Sequence, residues 1–471
     1  DSVSLAGGQT NISSTVSSGG VGKGGTIDIN AATLSLTDGA QLLTRTRRAS
    51  DTQPAGRGDA GNVNLNVTGA IDIAGRRGTS PSGIFSQVET GTVGNGGNIT
   101  IDSGSFSLRD GAAISALTFG QGNAGNVTVR ATDAVSLADA NILSTVEASS
   151  VGNGGNIDIN AAKVSLIESA SLNASTRGLG DAGTIKVNAA DFFTISGSSS
   201  NLNTGLFVNS QSPTGTAGDI IVTSPRVTVD NGGRLNAQSA SGNGGNINLQ
   251  SNLLVLRRES QISTTAGTAE AGGNGGNINI DAGFIVAVPE ENSDITANAF
   301  SGNGGIVTIN AQGIFGIQRR QQTTPQSDIT ASSTGGGING VVDINTLEID
   351  PSRGFIDLPT NIVNTSRLVA QSCSAFGKGG SEFTVTGRGG LPDSPDDFLS
   401  SDVVWSDTRL TALPVSPSPR VTRSVRKTSS GVAIIPATGW VFDKKTGEVT
   451  LIASSSSSSG VGSNQVKCVA P

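Results

Sequence analysis

The chain has 471 residues, of which 66 are glycine, 35% hydrophobic and only 3% aromatic. So little bulky material excludes thick packed layers and leaves a thin aliphatic core, while 14% charged residues and a net charge of −7 argue against charge-driven disorder. The mildly acidic balance offers no basic footprint for nucleic acid, and with no His and no Tyr two common proton carriers are missing.

The first residues, DSVSLAGGQTNISSTV (1–16), match DAVSLADANILSTV (133–146) with a longer bend, so the chain is expected to open inside a repeat whose first strand lies upstream. The lack of any Met gives the same expectation, a processed or trimmed product. No signal peptide or apolar run of membrane-spanning length is read.

GNGGNITI at 94–101 returns as GNGGNIDI at 152–159. Anchored on the glycine before the Asn-Ile pair, the motif occurs at Gly25, Gly61, Gly97, Gly125, Gly155, Gly183, Gly218, Gly245, Gly276, Gly305 and Gly340, at spacings of 27 to 36 residues. A period in that range is the mark of a stacked array. Within the unit beginning at Gly97, Ile99 and Ile101 alternate with Thr100, and Phe106-Ser107-Leu108 repeats the alternation. After the turn signal Asp110-Gly111, Ala113 to Ala116 does so again. No such unit can bury its apolar face alone, so the predicted fold is all-β. It is a parallel β-helix solenoid of three strands per coil and about eleven rungs over 1–350.

Two aliphatic columns should line its core. One is Ile27, Val63, Ile99, Val127, Ile157, Ile185, Ile220, Ile247, Ile278, Val307 and Val342 in the first strand; the other is Leu42, Ile114, Ile142, Leu172, Leu235, Ile262, Ile295 and Ile329 in the third. Each buried side chain contributes about 1.5–3 kcal/mol. The glycines are expected to supply positive-φ corners. The asparagines Asn62, Asn98, Asn126, Asn156, Asn246 and Asn277 should stack as an amide-to-amide ladder.

From residue 351 the anchor stops. Residues 351–412 are read as a carboxy-terminal cap hiding the last strand edges and 413–432 as a linker. In 433–471, GWVFDKKTGEVTLIA (439–453) forms a hairpin around Lys445-Thr446-Gly447, followed by a flexible serine run.

The unit GNGGNITIDSGSFSLRDGAAISALTFGQGNAGNVTV, the turns SGIFSQVETG (82–91) and TGLFVNSQSPTGTAGDI (204–220), and the tail segments TSRLVAQSCSAF (365–376), FTVTGRGGLPDSPDDFLSSDVVW (383–405) and GWVFDKKTGEVTLIA resemble filamentous-haemagglutinin-like exoproteins of two-partner secretion systems, in their cyanobacterial form. The likeness runs over essentially the whole chain, without the family's amino-terminal secretion domain. It implies a right-handed β-helix, export through an outer-membrane secretion pore, an extracellular or outer-surface location, and a role in adhesion or surface structure. In a secreted chain Cys373 and Cys468 are expected to form a disulfide tethering the tail. Such a bridge would constrain the unfolded tail by about 4–5 kcal/mol.

Many β-helix proteins cleave acidic polysaccharides with carboxylates on neighbouring rungs. The outward first-strand position, however, reads Asp28, Asn64, Thr100, Thr128, Asp158, Lys186, Ile221, Asn248, Asn279, Thr308 and Asp343, with no two acids adjacent. The glycine-aspartate calcium motif has the wrong period. Arg57-Gly58-Asp59 spells an integrin-type tripeptide but falls on turn positions. Three longer units carry their extra residues between strands two and three, at 74–83, 196–205 and 318–328, making Arg76, Arg77, Arg319 and Arg320 a candidate ligand-facing edge for anionic glycans. Arg257 and Arg258, Glu290 and Glu291, then Arg319 and Arg320 alternate in sign there, so an inter-rung charge ladder worth about 0–1 kcal/mol per pair competes with the glycan reading. Trp405 and Trp440 are more simply end-covering residues than sugar platforms. The expected function is therefore a non-enzymatic adhesin or surface scaffold. The alternatives are a filament or sheath subunit and, less favoured, a polysaccharide-active enzyme. No cofactor or metal is implied, and the expected partners are the secretion pore, surface glycans or further copies of the chain. The chain is not expected to span a membrane.

Overall fold

The computed structural model describes residues 1–198, 204–212, 214–268 and 270–346, together with strands Gly439–Phe442 and Val449–Ile452. Two compact units are present, Asp1–Pro351 and Ser352–Pro471. The first is all-β, a parallel β-solenoid of about eleven turns, with one short 3-10 turn at Pro289–Glu291. Its coils are numbered here from the one that contains Gly25.

Coil 3 shows why the sequence closes on itself. Ile99–Ser103 and Ser105–Arg109 alternate buried and half-buried residues, as period-2 strands with one face in a core must. The chain bends at Gly104, then turns sharply at Asp110 and Gly111, both left-handed at φ 59° and 79°. The third strand, Ala113–Thr118, follows. Each strand pairs in parallel with its counterparts in coils 2 and 4, so Ile99 faces Val63 and Val127, and Ile114 faces Ile84 and Ile142. Ser2–Ala6 pairs with Thr33–Thr37 and Asn11–Val16 with Gln41–Thr46, which makes them second and third strands of a preceding coil.

The core is the pair of expected columns plus a second-strand column that includes the fully buried Phe106 and Phe193. The third-strand column is continuous: Leu42, Ile84, Ile114, Ile142, Leu172, Leu206, Leu235, Ile262, Ile295 and Ile329 are all 0% exposed. Ile84 and Leu206 belong to it although insertions precede both.

Two features differ from the sequence expectation. In coils 5, 6, 8, 9 and 10 the first two strands run as one bent strand, such as Ile157–Ile167 and Ile185–Ser196, so the hydrogen-bonded sheets number two along the array. The bend at Ala161 to Lys163 shifts register by one residue without interrupting the pairing of the two strands.

The glycine columns also act differently. The first glycine of the motif, at Gly94 and Gly152 in GNGGN and at Gly122 in GNAGN, does take positive φ of 157°, 152° and 144°. The anchor glycines do not; they are required by close stacking, since a Cβ on Gly97 would lie 2.0 Å from the carbonyl oxygen of Gly61 in the coil below. From coil 5 onward the anchor N–H also donates to the carbonyl of the residue just past the third strand, as from Gly183 to Ala174 at 2.8 Å and from Gly305 to Ala297 at 2.7 Å.

In the second unit, Gly439–Phe442 and Val449–Ile452 form an antiparallel pair with Trp440 opposite Leu451. The expected cap, the linker, Cys373, Cys468 and Trp405 lie outside the described residues. Among the described residues, no helix is long and apolar enough to cross a membrane.

Candidate functional site

The repeated asparagines form two axial ladders. Asn62, Asn98 and Asn126 each accept, on the side-chain oxygen, the backbone N–H of the equivalent residue one coil on, at 2.8–2.9 Å, and Asn156 accepts from Thr184. Asn246 and Asn277 do the same for Asn277 and Ile306, at 3.3 and 3.2 Å. The bond is thus side chain to backbone, not amide to amide: it satisfies N–H groups in a corner that lacks strand pairing. The first Asn of the motif builds a second ladder unforeseen from sequence, running Asp59, Asn95, Asn123, Asn153, Asp181 and Thr216. The regular appearance of Asn three residues before the named ladder was its signal.

Asp59 is thereby explained. Its Oδ1 accepts from both the backbone and the side chain of Asn95, while a Cβ on Gly58 would collide with the Gly22 carbonyl. The Arg-Gly-Asp tripeptide is a piece of stacked return segment, with Arg57 bridged to Val21 and Val93.

Charges pair along the axis. Asp72 meets Arg109 at 2.9 Å, Asp102 meets Arg130 at 3.4 Å and Glu147 meets Arg177 at 3.0 Å, each across one coil step. At the second-to-third corner, Arg257 grips Glu291 with two bonds of 2.5 and 2.7 Å, and Arg258 pairs with Asp230 of coil 7. The Arg257 bonds hold the Glu291 carboxyl down at about 2. The ladder does not continue to coil 10 as the alternation suggested: Arg320 turns back within its own loop to the fully buried Asp328, whose other oxygen accepts the Thr324 N–H. A self-closing loop gives Arg320 a nearer, drier partner than Glu290.

The four edge arginines are therefore not one site. Arg76 and Arg77 lie on a small hairpin with Ser80–Pro81, eight coils, or roughly 40 Å, from Arg319 and Arg320. Arg77 lies over Gly8 and Gly39, and Arg76 over Gly111, so the hairpin spans the corners of its neighbours. Arg76, Arg77 and Arg319 make no ion pair with any described residue.

Carboxylates do stack on positions other than the outward first-strand face. Asp110, Asp139 and Glu168 take the same left-handed turn position on successive coils, at φ 59°, 48° and 61°. On the third strand, Asp294 accepts the N–H of Asp328 at 2.9 Å. Burial, reinforced by the Asp328 charge, raises Asp294 to about 6. Asp328 is 0% exposed and held by Arg320 and Thr324, which suits a loop anchor better than a solvent-facing catalyst. Among the described residues no three carboxylates or thiols converge.

The residues that sequence reading missed sit at the other corner. Coil 1 owes its 36-residue length to an insertion at 47–56, between the third strand and the return segment. This loop closes on itself through Gly56 N–H to Arg47 O at 2.8 Å and is fixed to the preceding coil by Arg47 N–H to Val16 O at 3.0 Å. It contributes to an open cleft of about 880 Å³ whose lining includes Arg45, Arg47, Arg48, Gln87, Glu89 and Phe119. Arg45 reaches Glu89 at 3.6 Å; burial, then the neighbouring Arg47, lower its pKa.

Comparison with protein-family models, curated proteins and solved structures gives no match.

Proposed function

We propose that the chain is a non-enzymatic extracellular exoprotein, an adhesin or surface scaffold whose stiff solenoid holds its corner loops away from the cell. The observation that carries this reading is the combination of uninterrupted axial bonding with loops confined to corners. Strand pairing and the asparagine ladders tie each coil to the next, while the insertions at 47–56, 75–82 and 319–327 project without breaking a core column. Rigid elements presenting variable loops are a general binding architecture. The resemblance to two-partner exoproteins supplies the surface location and the secretion pore as partner.

A second reading, a filament or sheath subunit, draws on a different feature. Val21, Val93, Val151 and Leu179 are 84%, 44%, 48% and 51% exposed along one return corner, in a column that also holds Arg57 and Gln121, and exposed aliphatic side chains repeated in this way suit lateral contact between copies.

Attachment of cells producing four forms of the chain tests the proposal. The intact chain and a chain with Gly97→Val should differ strongly. Deletion of 75–82 and deletion of 48–55 should each leave the solenoid folded, and at least one of them should weaken attachment. Unchanged attachment on loss of each corner loop, with surface structure lost in Gly97→Val, would favour the scaffold or filament; unchanged attachment in all four forms would exclude an adhesive role.

A further inference from the structure

We propose that the cleft between the 47–56 loop and the corners of coils 2 and 3 binds an acidic sugar, with its carboxylate held by Arg45, Arg47 and Arg48 and its ring laid against Phe119. This deepens the adhesin reading by naming a ligand class, and it rests on that reading only for where the sugar is met.

The charge arrangement departs from the rest of the solenoid. Along the same corner, coil 4 places Glu147 and coil 5 answers it with Arg177 at 3.0 Å, one acid to one base. The cleft is lined by three arginines, Arg45, Arg47 and Arg48, against two acids, Glu89 and Asp51. Glu89 is already engaged twice, by Arg45 at 3.6 Å and by the Arg48 backbone N–H at 3.1 Å. Arg47 and Arg48 form no ion pair with any described residue, and the buried Arg45 Nε has no hydrogen-bond partner. Crowded like charges with an orphaned donor are relieved by an oxyanion, and guanidinium forks match a carboxylate with two parallel bonds.

The remaining lining suits a pyranose. Phe119 is 37% exposed on the cleft wall, its backbone fixed by Phe119 N–H to Val88 O at 2.7 Å. Gln87, Thr90 and Ser18 offer neutral polar groups to sugar hydroxyls. The loop is held as well as closed, because Ser18 Oγ donates to the Arg48 carbonyl at 2.7 Å. A polyanion bound only through charge would not need the aromatic wall, and Asp51 and Glu89 work against a nucleic-acid backbone.

The test is calorimetric titration of the purified full chain with a galacturonate hexasaccharide, its carboxyl-reduced neutral counterpart and a sulfated hexasaccharide. Wild type should bind the uronate at least about tenfold more tightly than the neutral sugar, as expected for loss of charge-assisted bonds. Arg47→Ala with Arg48→Ala should weaken uronate binding by about tenfold or more. Phe119→Ala should weaken it severalfold, and Arg76→Ala with Arg77→Ala should leave it unchanged. Amide exchange in coils 1 to 3 should stay at the wild-type level in all variants. Absence of uronate binding, equal binding of the neutral sugar, preference for the sulfated one, or equal loss in the Arg76/Arg77 variant would each overturn the assignment. Binding that holds as described while intact cells show no surface chain would leave this site standing and remove the surface reading instead.

Discussion

Replacing Gly97 with alanine should open the solenoid between coils 2 and 3, whereas the same change at Gly272 should be tolerated. The added Cβ at Gly97 would sit 2.0 Å from the Gly61 oxygen; to reach even the 3.0 Å limit of real contacts, the coils must part by 3.0 − 2.0 = 1.0 Å. Four of the bonds that cross that step at the corner are Ala60 N–H to Asn95 O, Val63 N–H to Asn98 O, Asn95 N–H to Asp59 and Asn98 N–H to Asn62, all 2.8–3.0 Å. A displacement of that size carries them past roughly 3.5 Å, where hydrogen bonding has faded. At about 0.5–1.5 kcal/mol each the local loss is about 2–6 kcal/mol. Gly272 has no coil pressed against it: its Cβ would meet only Ser301 Oγ, at 4.0 Å. Hydrogen exchange resolved to peptides is the assay, because a long array does not unfold as one two-state unit. Protection at 60–63 should fall by about thirtyfold or more in Gly97→Ala, while protection around 272 should stay near wild type in Gly272→Ala. Wild-type protection in both variants would refute the close-stacking account of the anchor glycines.

Ile114→Ala, in the fully buried third-strand column, should cost about 2–5 kcal/mol, read as an earlier urea transition in coils 2 to 4. Asp294→Asn should flatten the pH dependence of stability. Its folded value of about 6 exceeds the unfolded 3.8, so the native state holds the extra proton and stability declines as pH rises through that window. With partial solvation allowed for, the amide should gain about 1–2 kcal/mol at pH 7, and thermal melts showing no gain would contradict it. Glu291 should titrate near 2 by carboxyl NMR and move back toward 4.5 in Arg257→Gln. As its value is depressed on folding, its contribution should be present above 4.5 and fade as pH falls toward 2.

The alternation of Ile99 and Ile101 and the recurrence of the anchor showed coil, column and register, because those depend on period alone. Asp110-Gly111 likewise announced its left-handed turn. What stayed hidden depends on which groups meet between coils. The anchor glycine looks the same in sequence whether it serves a corner or a 2.0 Å approach, and an asparagine column does not reveal that its bonds run to backbone. The sign alternation at Arg257, Glu291 and Arg320 named one true pair and one false one, since the 319–327 loop is long enough to bring Arg320 back to Asp328. The 47–56 insertion escaped because its extra length was absorbed in the irregular spacing, and its Arg47 and Arg48 join Arg45 in one cleft only once coil 2 is stacked beside it.

The surface role is tested most directly by labelling intact cells of the source organism with antibody fragments raised against the 47–56 loop. The proposed exoprotein should label intact cells or the surrounding matrix, and brief surface proteolysis should remove the label without lysis. Label that appears only after the envelope is permeabilised would contradict the account.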